Sequence, residues 1–154
     1  MTDIYLNWNS ESFTADMSMQ LGDIITGREI ETAVIMSIFT WRRANADDEL
    51  PEGETSRQGW WADTYTDVPN DKIGSRIWLA RRRKMNQTTR VFIYDCIKEC
   101  LQWLIEDQIA VKIDIETERQ GLSTLATKII IHETSGAVTA LQYSLIWEAM
   151  NDGK

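Results

Sequence analysis

Catalysis or metal binding would need a small set of side chains, and this sequence offers few of them. His132 is the only histidine, so a zinc site built on several histidines cannot form. Its place late in a predicted strand indicates a residue of the sheet surface. Asp47, Asp48 and Glu49 could hold a cation, but their spacing lacks the turn glycine of a calcium loop. We interpret them as a solvated acidic loop and expect no metal and no other cofactor.

Hydrolysis of a polysaccharide is the enzymatic function closest to what these residues allow. It needs two carboxyl groups on either side of the scissile bond, one of them with a raised pKa. Glu106 and an acid from residues 47–54 could be nominated, yet nothing in the sequence places them together. The chain also has no glycine-rich phosphate loop and no GxSxG turn. We therefore expect no enzyme, with glycoside hydrolysis as the alternative.

The two cysteines, Cys96 and Cys100, lie four residues apart. On a helix this spacing directs their Cβ atoms poorly for a disulfide. We expect both to be small core residues, in preference to a redox or metal-binding pair.

These residues sit on a predicted amphipathic helix that spans residues 88–107. Apolar side chains recur with the helical period on one face, whereas charged and amide side chains occupy the other. The apolar face comprises Ile93, Ile97, Cys100, Leu101 and Leu104, widened by Phe92, Cys96 and Trp103. Glu106 falls on the polar face.

The period changes to two after residue 107, which predicts strands. Ile109, Val111, Ile113 and Ile115 form one alternating set, and Leu125, Ile129 and Ile131 form a second. In the third set, Leu141, Tyr143, Leu145 and Trp147 face one way. The expected fold is α+β, with the long helix packed on an antiparallel sheet of three or more strands.

The rest of the chain is expected to complete a single domain over residues 1–154. Residues 1–26 read as an irregular arm, residues 27–107 as a helical part and residues 108–148 as antiparallel strands. Within the helical part, residues 28–39 predict a further helix. Residues 44–73 form a long tryptophan-containing loop, and connections of this length are usually functional or ordered by a partner.

Charge and tryptophan content point to protein partners. The net charge of −8 opposes binding to nucleic acid or an anionic membrane. One basic island interrupts the acidity, formed by Arg76, Arg81, Arg82, Arg83, Lys84 and Arg90. Seven tryptophans is a high number for 154 residues, and indole rings are enriched at interfaces. Trp60 and Trp61 in the long loop either fold back onto the domain or insert into a neighbour.

The sequence predicts neither a secretory signal nor a membrane-spanning helix. MTDIYLNW has no basic segment followed by an apolar one, and no apolar run approaches the roughly 20 residues that cross a bilayer. We expect a soluble protein made in the cytoplasm.

Several segments together resemble a known family. IETAVIMSIFTWRRANADDELPEG, RQGWWAD, GSRIWLARR and a helix ending LQWLIEDQIAV are similar to the Mu-type phage baseplate proteins. These are members of the wider family of sheath-initiating wedge proteins of contractile tails, some of which were labelled tail lysozymes. The similarity covers roughly residues 3 to 133.

The resemblance implies a structural protein of the virion, assembled in the host cytoplasm. Such a protein joins larger wedge subunits in several copies around a six-fold baseplate, and presents strands to the first ring of tail sheath protein. Many members carry a Glu-Pro-Arg motif at the end of the long helix. Here residues 105–108 read Ile-Glu-Asp-Gln, so Glu106 matches the acid while the proline and arginine are absent.

Two hypotheses follow for the sites. In the first, Arg76, the Arg81–Lys84 run and Glu106 dock on wedge subunits, with Trp60, Trp61 and Trp78 as apolar anchors. In the second, the strand carrying Leu141, Tyr143, Leu145 and Trp147 is a sheet edge that gives or receives a strand from the sheath. Two alternatives remain: a peptidoglycan-degrading tail lysozyme, and a small adaptor that binds other proteins through the same fold.

Overall fold

The computed structural model describes residues 4–25, 27–65, 72–121 and 124–146. Its strands are β1 (Leu6–Asn9), β2 (Thr14–Met17), β3 (Met19–Gln20), β4 (Asp23–Ile24), β5 (Ala110–Gln120), β6 (Thr124–Glu133) and β7 (Val138–Ile146). Its α-helices are α1 (Glu29–Phe39), α2 (Gln87–Cys100) and α3 (Trp103–Glu106), and 3-10 helices cover Trp61–Thr64 and Ile77–Ala80. The α+β fold expected from the sequence is confirmed.

An antiparallel sheet in the order β5-β6-β7 forms one layer of the fold. Its register places apolar residues and threonines of the three strands side by side on the face that packs against the helices. These rows are Ile113–Ile131–Thr139, Ile115–Ile129–Leu141 and Thr117–Thr127–Tyr143, followed by the pair Leu125–Leu145.

One predicted member of the apolar face of β5 is misplaced. The register between β5 and β6 shifts between Ala110 and Lys112. This bulge turns Ala110 inward and leaves Val111 70% exposed. Strict alternation from Ile109 to Ile115 was therefore wrong at Val111, because one extra residue reverses the face on which a side chain lies.

The predicted helix over 88–107 forms as two consecutive segments. Asn86 caps the first, since its side-chain oxygen accepts a hydrogen bond from the Thr89 backbone N–H at 2.9 Å. The hydrogen-bond pattern tightens at Leu101 and Gln102, where the Gln102 N–H donates to the Glu99 carbonyl at 3.3 Å. α3 then continues to Glu106. The apolar face survives this break, because its residues are buried on both sides of it.

A hydrophobic core lies between the helices and the sheet. It joins Val34 and Ile38 of α1 to residues of α2, α3, β6 and β7. The predicted face of the long helix is confirmed, because Ile93, Ile97, Cys100, Leu101 and Leu104 are all buried in this cluster.

The N-terminal arm is more regular than the sequence suggested. β1 and β2 form an antiparallel hairpin, and β3 and β4 form a second, smaller one. The Trp8 ring stacks on Phe39 at a centroid distance of 3.4 Å and meets Phe13 edge-on at 5.0 Å. Aromatic packing therefore holds the first hairpin against the end of α1.

Candidate protein-binding surfaces

A groove of about 1080 Å³ lies between α1, the α2–α3 pair and the segment around Trp60 and Ile73. Trp103 closes part of it, since its Nε1 donates to Ser37 Oγ of α1 at 3.2 Å. We call this feature the acidic groove, because five carboxylate residues line it against three cationic ones. These are Asp63, Asp95, Glu99, Glu106 and Asp107 against Arg42, Lys72 and Lys98.

An exposed aromatic cluster stands at one side of this groove. Trp60 and Trp61 lie 6.0 Å apart, and Tyr65 lies 6.1 Å from Trp61. Trp60 is 43% and Trp61 73% exposed. Of the two alternatives left open by the sequence, folding back would have buried these rings. Their exposure instead favours contact with a neighbouring protein.

The loop that carries the aromatic cluster is held by hydrogen bonds to its own beginning. The Ala44 N–H donates to the Arg57 carbonyl at 2.9 Å. The Arg57 guanidinium donates in return to the carbonyls of Asn45 and Ala46. Gly59 approaches Arg43 so closely that a Cβ would lie 2.8 Å from Arg43 Cβ, at a φ of +114°. Glycine is therefore required immediately before the two tryptophans.

Asp63 links the same loop to the groove wall. Its Oδ1 accepts a hydrogen bond from the Ile73 N–H at 3.3 Å. Its Oδ2 is buried and has no hydrogen-bond partner among the described residues. A buried carboxylate oxygen without a partner is costly for the stability of the free chain.

Arg76 is the centre of an internal ion-pair network, contrary to its predicted role in docking. Its Nη1 lies 2.7 Å from Asp48 Oδ1, and its Nη2 lies 2.8 Å from Glu99 Oε2. Arg42 adds a further contact to Glu99 at 3.5 Å. Burial opposes the charge on Arg76, but the hydrogen bonds to Asp48 and Glu99 raise the pKa of its guanidinium above the usual value. Its charge is already neutralised within the chain.

Asp48 therefore has a structural role within the predicted acidic loop. It also accepts a hydrogen bond from the Asn45 N–H at 2.7 Å. Among the described residues, no group of three or more histidine, cysteine or acidic side chains is arranged to hold a metal ion.

Trp78 is also a structural residue, so its prediction as a surface anchor was wrong. It is 3% exposed, and its Nε1 donates to the Arg42 carbonyl at 2.8 Å. The adjoining Gly74 and Ser75 explain this burial. The Ser75 N–H donates to the Thr40 carbonyl at 2.9 Å, and a Cβ on Gly74 would lie 2.4 Å from that same oxygen. The chain enters the core at this point through a close backbone contact.

The Arg81–Lys84 run lies at the surface, partly packed on the chain itself. The Arg81 guanidinium lies 5.4 Å from the Trp41 ring centroid, and that of Arg83 lies 4.7 Å from the Phe92 ring. Arg82 Nη1 donates to the Glu52 carbonyl at 2.6 Å. Lys84 is exposed. Arginine stacked on an aromatic ring keeps its charge, so this run presents an ordered basic surface.

The sheet edge is defined by the backbone of β7. Leu141, Tyr143 and Leu145 point their side chains into the core face. Trp147 lies outside the described residues. The Ser144 N–H donates to Ser10 Oγ of the first hairpin at 3.3 Å, so it points away from β6. By strand alternation, Ala140 and Gln142 direct their N–H and carbonyl groups to the same side.

The cysteines and the histidine behave as the sequence predicted. Burial raises the pKa of the Cys96 thiol to about 12 and raises that of Cys100 as well. His132 lies on the sheet surface with its Nε2 3.0 Å from Asp114 Oδ2. Hydrogen bonds from Lys112 and His132 lower the pKa of Asp114.

Glu106 and Trp60 line the same groove, although 46 residues separate them in the sequence. Sequence reasoning missed the other groove residues, above all Asp63, Met36 and Trp103. The helical pattern gave a signal for Trp103, but assigned it to the core alone. No sequence signal marked Asp63, since its burial depends on the distant Ile73.

None of the helices that the structure describes is long and apolar enough to cross a membrane.

Comparison with known proteins finds similarity along most of the chain. Residues 30–138 match the family described as phage protein GP46. The chain is 32% identical to the baseplate protein gp46 of Escherichia phage Mu over 143 residues, which are 93% of this chain and 95% of that protein. It is 24% identical to the Mu-like prophage FluMu protein gp46 of Haemophilus influenzae, across 96% of this chain and 98% of that protein.

Proposed function

Because this chain belongs to the phage protein GP46 family, we propose that it is a structural component of a phage tail baseplate. Its 32% sequence identity to the Mu baseplate protein, over 93% of this chain, carries this conclusion. In finer detail, we propose that it belongs to the wedge of a contractile tail, joins larger wedge subunits and helps to initiate the sheath. It would occur in several copies around a six-fold baseplate, in virions assembled in the host cytoplasm.

The acidic groove and the aromatic cluster beside it are the proposed docking site for a wedge subunit. Two features support this assignment: the exposed indole rings and the excess of carboxylate residues that line the groove. A fitting occupant is a segment with apolar side chains for Trp60 and Trp61 and a lysine or arginine for the carboxylates. Glu106 then acts as one acid of the groove rim.

The basic surface Arg81–Lys84 is the proposed contact for an acidic part of a second wedge subunit. Arg76 takes no part in this contact, because Asp48 and Glu99 already bind it. The free side of β7 is the proposed attachment point for a strand of the sheath protein. The outward backbone groups of Ala140 and Gln142 support this role, since unpaired strand backbone forms a template for an added strand. Ser144 is not part of this template, because its N–H already donates to Ser10 Oγ.

We propose surface complementarity as the mechanism, with no catalytic step, no cofactor, and neither nucleic acid nor membrane as a partner. Clearing of a peptidoglycan gel by the purified protein would contradict this proposal. It would instead support the cell-wall hydrolase that the sequence left open.

The decisive experiment is complementation of a phage that lacks this gene. Wild-type protein is expected to restore assembled baseplates, and electron microscopy is expected to locate the chain within the wedge. Trp61→Ala should reduce incorporation about tenfold or more, as interface anchors do. Val111→Ala, at a comparably exposed site on β5, should incorporate normally. Baseplates that assemble without the protein would overturn the proposed function.

A further inference from the structure

The second N-terminal hairpin presents an apolar tip to solvent. β3 and β4 are joined by the two residues Leu21 and Gly22. Both have positive φ, +54° at Leu21 and +86° at Gly22. Two positive φ values are typical of the type I′ turn, whose first position favours asparagine, aspartate or glycine.

Leucine is a poor residue for this position. A bulky side chain with positive φ strains the backbone. Leu21 is 101% exposed, so its side chain contributes no packing that could offset the strain. The fold gains nothing from Leu21. A residue that is unfavourable for folding and fully exposed points to a use outside the chain.

The residues around Leu21 extend the apolar tip. Met17 and Ile24 are exposed, and Met19 is 67% exposed. We call Met17, Met19, Leu21 and Ile24 the hairpin knob. Methionine side chains adapt their shape to a binding surface and are common at protein contacts.

The charge around the knob restricts its partner. Residues 9–25 contain Glu11, Asp16 and Asp23 and no basic residue. Asp16 and Asp23 are held in place on the knob, since each accepts a hydrogen bond from the next backbone N–H at 2.8 Å. These carboxylates repel an anionic bilayer. They also repel the acidic groove, so the groove of a second copy of this chain is disfavoured as the binding site for the knob.

We propose that the hairpin knob inserts into an apolar pocket, rimmed by lysine or arginine, on another protein of the baseplate. This inference rests on the proposed baseplate function, but it concerns a surface distinct from the acidic groove. The knob lies outside residues 30–138, over which the family matches. It is therefore separate from the part of the chain that defines the family.

The variant Leu21→Asn separates the effect of this residue on folding from its proposed effect on baseplate assembly. Because asparagine suits the turn, the melting temperature should stay equal or rise. Incorporation into baseplates during complementation should nevertheless fall at least tenfold. Val111→Thr is the matched control, because it also makes an exposed apolar residue polar. If Leu21→Asn is incorporated as well as wild type and the control, the proposed role of the hairpin knob is overturned. The proposed baseplate function would remain intact.

A photoreactive amino acid at position 21 identifies the protein that the knob contacts in assembled particles. Cross-linking to an apolar, basic-rimmed site on a different baseplate protein supports the proposal. Cross-linking to a second copy of this chain, or to no baseplate protein, would overturn it. So would Leu21-dependent flotation of the purified chain with phosphatidylcholine–phosphatidylglycerol vesicles.

Discussion

Arg76 shows how much a single side chain can contribute to this fold. Its guanidinium joins Asp48, 28 residues before it, to Glu99, 23 residues after it. Loss of one partner from such a network leaves mostly buried charges uncompensated. The long loop and α2 would then lose the ion pairs that join them, while apolar packing around Ala44, Leu50 and Phe92 would remain.

Arg76→Met should therefore lower the free energy of unfolding by roughly 3 kcal/mol. The uncompensated carboxylate of Asp48 is the main reason, since Arg42 still contacts Glu99 at 3.5 Å. Urea denaturation followed by circular dichroism measures this change. Arg119→Met, on the exposed end of β5, is the control and should change stability little. Equal stability of the two variants would show that the network contributes nothing to the fold.

The two thiols allow a second test at this scale. Burial raises the pKa of Cys96 to about 12, so almost no thiolate exists at pH 8, where a free cysteine already reacts. Iodoacetamide at pH 8 should leave both cysteines unmodified in the native protein and should modify both in guanidinium chloride. Mass spectrometry gives the result. Rapid labelling of the native protein would contradict the buried placement.

At the scale of elements, the long helix depends on its cap and its apolar face. Asn86→Ala removes the acceptor for the Thr89 N–H, which should destabilise the protein by about 1 kcal/mol. Asn86→Ser should retain most of the stability, because serine also caps. The midpoint of urea denaturation distinguishes the two variants. Similar losses for alanine and serine would show that the cap bond is not the cause.

The sequence was sufficient for elements with a long, regular pattern. The buried faces of the long helix and of β6 followed from periodicity. Ile93 and Ile97 repeat with the helical period, and Ile129 belongs to a set that alternates with the strand period of two. Short segments gave no such repeat. Trp78 lies in a four-residue 3-10 helix, so its burial depended on the Gly74–Thr40 contact, which a local pattern does not contain.

The candidate sites were harder to predict than the fold. Exposure of Trp60 and Trp61 was one of two open alternatives, and their position beside Glu106 required the folded chain. Arg76 was assigned to the surface because its two acids are distant in sequence. Leu21 carried no signal, since a leucine before a glycine is ordinary until its φ is known.

At the scale of the whole molecule, opposite charges lie on different surfaces. The Arg81–Lys84 run is basic, whereas the acidic groove and the hairpin knob are acidic. Such a distribution directs the orientation of a subunit in an assembly more than it increases affinity. The basic surface would accept an acidic partner, whereas the two acidic surfaces would accept basic ones.

Replacing Arg81, Arg82 and Arg83 together by glutamate should abolish co-purification with the wedge partner that binds this face. Repulsion of an acidic surface is the reason. Because Arg81 and Arg83 also pack on aromatic rings, a triple glutamine variant with the same melting temperature as wild type serves as a second test. It should bind weakly, with reduced salt dependence. Unchanged complex formation by both variants would reject the docking role.

The hydrogen bonds within the long loop bear on the thermodynamics of assembly. Arg57 fastens the loop to Asn45 and Ala46, and Asp48 fastens it to Arg76. The backbone leading to Trp60 is thus ordered in the free subunit. Binding a partner therefore costs less conformational entropy than it would if this segment were flexible. Tight association then requires fewer contacts, and the heat capacity change on binding should report buried area alone, without a contribution from coupled folding.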